Sequence, residues 1–176
     1  MIRKGEKEDI VSIMNIIKAA TLDMEINHIH QWDDIYPDEK VIIEDINKGN
    51  LYVYEDNNFI NALMVLNEDQ AEEYRNLDWN YTSGKQLVIH RLCVDPKAQG
   101  HGIARKLLKY TDNFATRNRY NAIRLDAFPP NERAIKLYEK NGYTKVGSVK
   151  FRKGKFYCYE KNISVHISPA TSWRLR

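Results

Sequence analysis

The chain is poor in the residues that staple or break a fold. It has two cysteines, Cys93 and Cys158, in 176 residues. Two thiols cannot build a disulfide framework, and alone they fall short of a four-ligand zinc site. No apolar run approaches the ~18 residues of a membrane-spanning helix. The opening MIRKGEKEDIVSIMN breaks its apolar residues with charges and lacks the continuous core of a signal peptide. Five prolines and eight glycines, without a repeat or a low-complexity tract, exclude a fibrous or linker-like chain. What is present is ordinary. The hydrophobic fraction of 43% and the charged fraction of 29% are near globular averages and exclude a wholly disordered chain. At this length about two-thirds or more of the unfolded surface can be buried without staples. The expectation is a soluble, cytoplasmic protein with one domain over residues 1–161. A tail over 162–176 looks unattached to its pattern.

Charge is unevenly placed. Residues 1–80 carry 7 Lys and Arg against 18 Asp and Glu, a net of −11. Residues 81–176 carry 20 against 6, a net of +14, and together the halves give the overall +3. A basic half suits a polyanion and an acidic half a cation, because summed charge concentrates ligands of opposite sign. Nucleic acid and a phosphorylated cofactor are both anions of that kind. No reading helix or base-stacking motif occurs, so a nucleic-acid partner is not expected.

Hydrophobic period orders the elements. Ile10, Ile13, Met14, Ile16 and Ile17 recur at helical spacing over about 7–21. Residues 22–37 read as a second short helix or an ordered loop, interrupted by Pro37. Asp38 and Glu39 open a helix that Gly49 stops. LYVYE at 51–55 and FINALMVL at 59–66 flank Asp56-Asn57-Asn58 as a hairpin. Residues 67–85 look like a mobile connection. QLVIHRLCV at 86–94 is a strand, 101–118 a helix, and AIRLDAF at 122–128 a strand. Asn131 caps a helix over 132–141 that Gly142 ends. Tyr143–Val149 and Lys155–Lys161 read as a final hairpin around Arg152-Lys153-Gly154. The order predicts an α/β (α+β) fold: a mainly antiparallel sheet with helices on both faces.

One loop carries the strongest chemical signal. Between a strand and a helix stands Val94-Asp95-Pro96-Lys97-Ala98-Gln99-Gly100-His101-Gly102-Ile103-Ala104-Arg105. Glycines at 100 and 102 let the backbone turn tightly and approach a ligand. The turn opens a helix, whose first N–H groups are unpaired and favour an anion. Neither G-x-x-x-x-G-K-[ST] nor G-x-G-x-x-G is present. On the loop alone, glycines that simply shape the turn remain the competing reading.

The run Gln99 to Ala104 resembles the Gln/Arg-x-x-Gly-x-Gly/Ala pyrophosphate loop of the GNAT superfamily of N-acetyltransferases. Arg91-Leu92-Cys93-Val94-Asp95-Pro96 is similar to the strand and turn that precede that loop. Thirty-odd residues on, Asn131 to Tyr143 resembles the second signature. The resemblance covers about 2–161, most firmly 88–147. It implies an acetyl-coenzyme A site and a bulge near Leu92–Val94 that opens a V-shaped splay between the central strands. His28, His30, His101 and His166 do not form a metal-ligand spacing, so no metal is expected. It implies that Leu92, Cys93 and Val94 bond the pantetheine arm through their backbone. Gln99, Gly100, His101, Gly102, Ile103, Ala104 and Arg105 would hold the pyrophosphate, and Asn131 would reach the pantetheine or phosphate.

Acetyl transfer to an amine needs a base, a polarised carbonyl and help for the leaving thiol. By the motif position Tyr138 is the proton donor to the thiolate; by periodicity alone it is a buried helix aromatic. Asp126, His90, or a water or N-terminal residue stands as the base. Cys93, in an apolar strand without an adjacent base, is discounted as a nucleophile. The family's acceptor region here holds Trp32 and Tyr36 with Asp33, Asp34, Asp38 and Glu39, then Glu68, Asp69, Glu72, Glu73, Asp78 and Trp79. Aromatic faces with carboxylates predict a cationic small amine or a protein amine as acceptor. The alternative is a non-catalytic acyl-coenzyme A sensor on the same fold. A homodimer through the late strands or tail is a further expectation.

Overall fold

A computed structural model of the protein describes residues 1–163. The tail expected from 162 lies, from 164 on, outside the described residues. A seven-stranded sheet organises the chain: β1 (Ile2–Lys4), β2 (Leu51–Asp56), β3 (Phe59–Asn67), β4 (Lys85–Val94), β5 (Tyr120–Ala127), β6 (Thr144–Phe151) and β7 (Gly154–Asn162). The spatial order is β1-β2-β3-β4-β5-β7-β6. Only the β4–β5 pair is parallel, and the helix between them makes it so.

Alternation along the strands builds two faces. Leu51, Val53, Leu63 and Val65 pack against Ile13, Ile16, Ile17 and Ala20 of α1 (Ile10–Ile26) and Ile42 of α2 (Glu39–Asn47). Tyr52, Ala62, Met64, Leu66, Leu87 and Ile89 point the other way. They meet Ile103, Leu107, Leu108 and Ala115 of α3 (Ile103–Arg117) and Tyr138 of α4 (Glu132–Lys140). The helix expected over 7–21 begins later, at Ile10 after one 3-10 turn, and runs to Ile26. Residues 27–37 are loop, with one bridge between Asp33 and Tyr36. Asp38 caps α2 by accepting from Val41 N at 2.9 Å. Gly142 follows α4 at φ +86°, the left-handed position that ends a helix.

The connection over 67–85 corrects the expectation of a loose segment. Tyr74 is buried, and Trp79 Nε1 donates to its carbonyl at 2.8 Å. Beneath it lies the buried pair Arg124–Glu160. Arg124 donates to Gln70 and to the Tyr81 carbonyl, and sits 4.1 Å from the Trp79 ring. Glu160 accepts from the N–H groups of Asn80 and Tyr81. Two charges buried in β5 and β7 need partners, and this segment supplies them. Its polar sequence hid that role.

The sheet parts in the middle. β4 pairs with β5 only from Lys85 to Val88. On its other side β4 carries a bulge. Val65 faces His90 while Leu63 faces Cys93, so Arg91 and Leu92 stand together opposite Met64. Arg91 adopts φ +52°, as the first residue of such a bulge can. One extra residue exchanges the faces: Leu87 and Ile89 lie on the α3 side, but Cys93 lies on the α1 side, and Leu92 and Val94 take the α3 side.

Arg91 fixes the bulge. Its guanidinium grips Asp45 of α2 at 2.8 and 3.0 Å and donates to the Tyr36 hydroxyl at 2.7 Å. The ion pair is largely buried, with side chains 13% and 7% exposed. Replacing Arg91 by Met strands the Asp45 carboxylate. The expected loss is about 3–5 kcal/mol in urea unfolding, relieved in part by adding Asp45→Asn. An unchanged urea midpoint contradicts this account of the bulge.

Candidate active site

Three cavities meet at the parted strands. The first, about 440 Å³, lies between the end of β4, the loop at 98–105 and α4, and is lined by Gly100, Gly102, Ile103, Ala104, Arg105, Asn131 and Lys140 among others. The second, about 520 Å³, opens on the other side, under Trp32, Tyr36, Tyr74 and the β6–β7 turn. A third of about 490 Å³ shares Gln99 and Asn131 with the first and Asp126 and Tyr138 with the second. Leu92 lines all three. The gap between β4 and β5 is thus a passage, with Asp126 and Tyr138 along it.

The phosphate-type loop has the properties expected from its glycines. Gly100 and Gly102 sit at φ +85° and +74°, a region costly for other residues. The six N–H groups from Gly100 to Arg105 have no acceptor among the described residues; the first helical bond runs from Lys106 N to Gly102 O. Gln99 donates to the Val94 carbonyl at 3.2 Å and accepts from Arg133. His101 leans on the Ala98 carbonyl at 3.2 Å. Arg105, Arg133 and Lys140 bring positive charge to the cavity. Unpaired amides at the start of a fifteen-residue helix, ringed by cations, fit a diphosphate.

On β4 the three expected residues divide. Asp95 N bonds to Asn61 O at 2.8 Å, toward β3. Strand alternation then turns the main chain of Cys93 to β3 and that of Leu92 and Val94 to the gap. Leu92, and Val94 through its N–H, are therefore turned to bond an extended arm, while the Val94 carbonyl already accepts from Gln99. The Cys93 thiol is buried, which pushes its pKa up to about 12 and leaves no reactive thiolate.

Asp126 stands near the end of β5, past its last residue paired with β4, Arg124. Tyr74 donates to its Oδ2 at 2.8 Å. Burial raises its pKa, against that hydrogen bond. Tyr138 is 7% exposed, and its hydroxyl has no partner among the described residues although it lines two cavities. Burial, then the charge of Asp126, raises the phenol pKa, so it stays protonated. His90 lines the second cavity, but its Nε2 is 2.8 Å from Asn67 Oδ1. That oxygen also accepts from Asp69 N, so the ring nitrogen is the donor. Burial, and secondarily Arg91, brings His90 down to about 4.

Asn131 does two jobs: it caps α4 by accepting from Ala134 N at 3.2 Å, and it donates to Gln31 at 3.2 Å. Trp32 and Tyr36 do line the second cavity. None of the acids expected beside them lines any of the three cavities. Asp33 is bound to Arg152 and Lys153, Asp38 caps a helix, and Glu68 pairs with Lys85. Tyr74, Gln31, Arg133, Arg152 and Lys153 were not legible as site residues. Only the Arg152-Lys153-Gly154 turn left a trace, as a hairpin. Among the described residues no cluster of His, Cys, Asp or Glu is arranged to hold a metal, and no helix is long and apolar enough to cross a membrane.

The Acetyltransferase (GNAT) family model matches residues 13–143, which include the loop, the splayed strands and α4. The chain belongs to the GNAT acetyltransferase family. The uncharacterised N-acetyltransferase YesJ of Bacillus subtilis is 21% identical over 159 residues, 89% of this chain and 87% of its own. A crystal structure from Staphylococcus aureus is 32% identical, with a TM-score of 0.75 over 93% of this chain and 99% of that one. The Salmonella typhimurium protein yncA, solved with its cofactor acetyl-CoA, shares the GNAT fold at a TM-score of 0.70 and 20% identity, covering 96% of each chain. The GNAT sheet expected from the sequence is present, with its helices on both faces.

The loop geometry of this acetyltransferase gives a direct test. Alanine at 102 meets nothing nearer than Arg105 at 3.6 Å, so it fits sterically but not at φ +74°. That conformation costs an L-residue about 1–2 kcal/mol. The free amides do not hold the loop, so it relaxes and the cost falls on binding. Gly102→Ala is expected to weaken coenzyme A binding about tenfold by calorimetry. An unchanged Kd contradicts the loop as the phosphate seat.

Proposed function

We propose that this protein transfers the acetyl group of acetyl-CoA to a primary amine by direct attack in a ternary complex. The passage through the sheet carries the reading: unpaired amides and cations at one side, a second cavity at the other, and a carboxylate and a free phenol between. Acetyl-CoA supplies an activated acyl group as a thioester. Gly100 to Arg105 offer N–H donors to its diphosphate, with Arg105, Arg133 and Lys140 around them. Leu92 and Val94 offer main-chain bonds to the pantetheine, and the Val94 N–H is the donor for oxyanion charge on the carbonyl.

Asp126 takes the proton of the attacking amine, directly or through a water. An alkyl ammonium has a reference pKa of about 10.4 and a carboxyl about 3.9. Burial lowers the first and raises the second, which narrows the gap, and the raised pKa of Asp126 is that effect. Tyr138 gives a hydrogen bond to the departing sulfur. A thiol near 8.5 is a stronger acid than a phenol near 10, and burial raises the phenol further. Complete proton transfer from Tyr138 is therefore uphill, and its contribution is to stabilise thiolate charge. His90, neutral and tied to Asn67, is the weaker choice of base. Cys93, buried and protonated, argues against an acetyl-cysteine intermediate.

The test is a panel of amines with acetyl-CoA, following free thiol and acetylated product by mass spectrometry. Coenzyme A binding without turnover of any amine favours the sensor alternative and overturns the proposal.

A further inference from the structure

The second cavity has a second polar end, away from Asp126. Arg152 and Lys153 line it from the turn between β6 and β7. Both donate to one carboxylate: Arg152 Nη1 and Nη2 reach the two oxygens of Asp33 at 2.9 Å each, and Lys153 Nζ reaches Oδ2 at 3.2 Å. Two cations share one anion, so a positive charge is left over at this end. The Arg91 charge in the same wall is compensated by Asp45, and His90 is neutral. Along β7 Phe156 stands between the two ends, and Trp32, Ile35 and Phe151 add apolar wall to the same cavity.

The cavity is therefore negative or proton-accepting at Asp126, apolar in the middle, and positive at the turn. The register sets the scale. Cys158 of β7 stands opposite Asp126, and Gly154, just after Lys153, is four residues away. Four strand residues span roughly 13 Å, and the long side chains at 152 and 153 reach back over part of that length.

We propose that the acceptor is an amine bearing a carboxylate, the two groups being separated by an apolar segment of several carbons. This rests on the acetyl-transfer reading above and names the acceptor class. The amine lies at Asp126 and Tyr138, and the carboxylate at Arg152 and Lys153. Asp33 holds the cations in place without exhausting them. Lys153 uses one of its three N–H donors on Asp33, and the Nε of Arg152 is unused. A diamine would set its second ammonium against this pair, so the cationic acceptor suggested by the acidic sequence is disfavoured.

Three acceptors of one length decide it: aminohexanoate, hexylamine and hexanediamine, which end in a carboxylate, a methyl and an ammonium. With saturating acetyl-CoA, kcat/KM should fall in that order, by at least about tenfold from first to last. In Arg152→Gln/Lys153→Gln the ratio of aminohexanoate to hexylamine should collapse toward one. In Asp33→Asn, which keeps both cations, the ratio should rise. Preference for hexanediamine, or a ratio unmoved by either variant, overturns the inference and leaves acetyl transfer standing. If none of the three is acetylated and no amine of the wider panel is, both fall together.

Discussion

Asp126→Asn should lower kcat/KM for any amine acceptor by roughly 10²–10⁴-fold and, at neutral pH, raise the Tm. The first effect follows from losing the proton acceptor at the attacking nitrogen. The second follows from burial. In the folded protein the Asp126 pKa is raised, chiefly by desolvation; in the unfolded chain it lies near 3.9. The folded state thus binds the proton more tightly. Stability from this group is fully present below the unfolded pKa and is lost as pH rises through the folded one. Asparagine cannot ionise, yet its oxygen can still accept from Tyr74. The Tm difference between variant and wild type should therefore grow as pH rises from about 4 through the raised folded pKa. Thermal unfolding across that range checks the sign, and a pH-independent difference would show that Asp126 is not a buried carboxylate. The acidic limb of the wild-type rate profile should lie above the ordinary carboxylate range and vanish in the variant.

Tyr138→Phe is expected to reduce kcat by about 10²-fold or more while leaving the coenzyme A Kd near its wild-type value. The ring is part of a cluster with Tyr143 and Tyr159 at centroid distances of 5.9 and 6.5 Å. Phenylalanine keeps those contacts. The hydroxyl has no partner to lose among the described residues, so stability should hold. Stopped-flow turnover and calorimetry on the same preparation separate the two readings. Equal losses in kcat and in cofactor affinity would mean that Tyr138 only shapes the pocket, and retained kcat would remove it from the chemistry.

Much of this site was readable because local physics wrote it. The glycines at 100 and 102 announce a backbone that must turn and stay bare, and the helix after them needs no distant contact to leave its first amides unpaired. Asp126 and Tyr138 came from the family resemblance instead: periodicity alone made Tyr138 a buried helix aromatic and Asp126 one strand carboxylate among several. What the sequence hid depends on long-range pairing. The bulge itself was expected, but its anchor, the pairing of Arg91 with Asp45 in α2, spans 46 residues, and no local pattern names that pair. The acids of the first half looked like a pocket for a cation because composition cannot say which charges are already spent. Asp33, Asp38, Asp45 and Glu68 all are, on Arg152 and Lys153, on a helix cap, on Arg91 and on Lys85. Tyr74 sat in a stretch too polar to suggest burial, yet it orients the proposed base.

The bulge has a consequence beyond packing. Delete a single residue from Arg91–Leu92 and the kink just past the last β4–β5 pair, at Val88, is lost: β4 could then follow β5 further, narrowing the slot through which a thioester and an amine would meet. The same deletion would turn Leu92, Cys93 and Val94 inside out, greasy side for greasy side. One extra residue in this chain thus sorts those three side chains and sits just where β4 leaves β5.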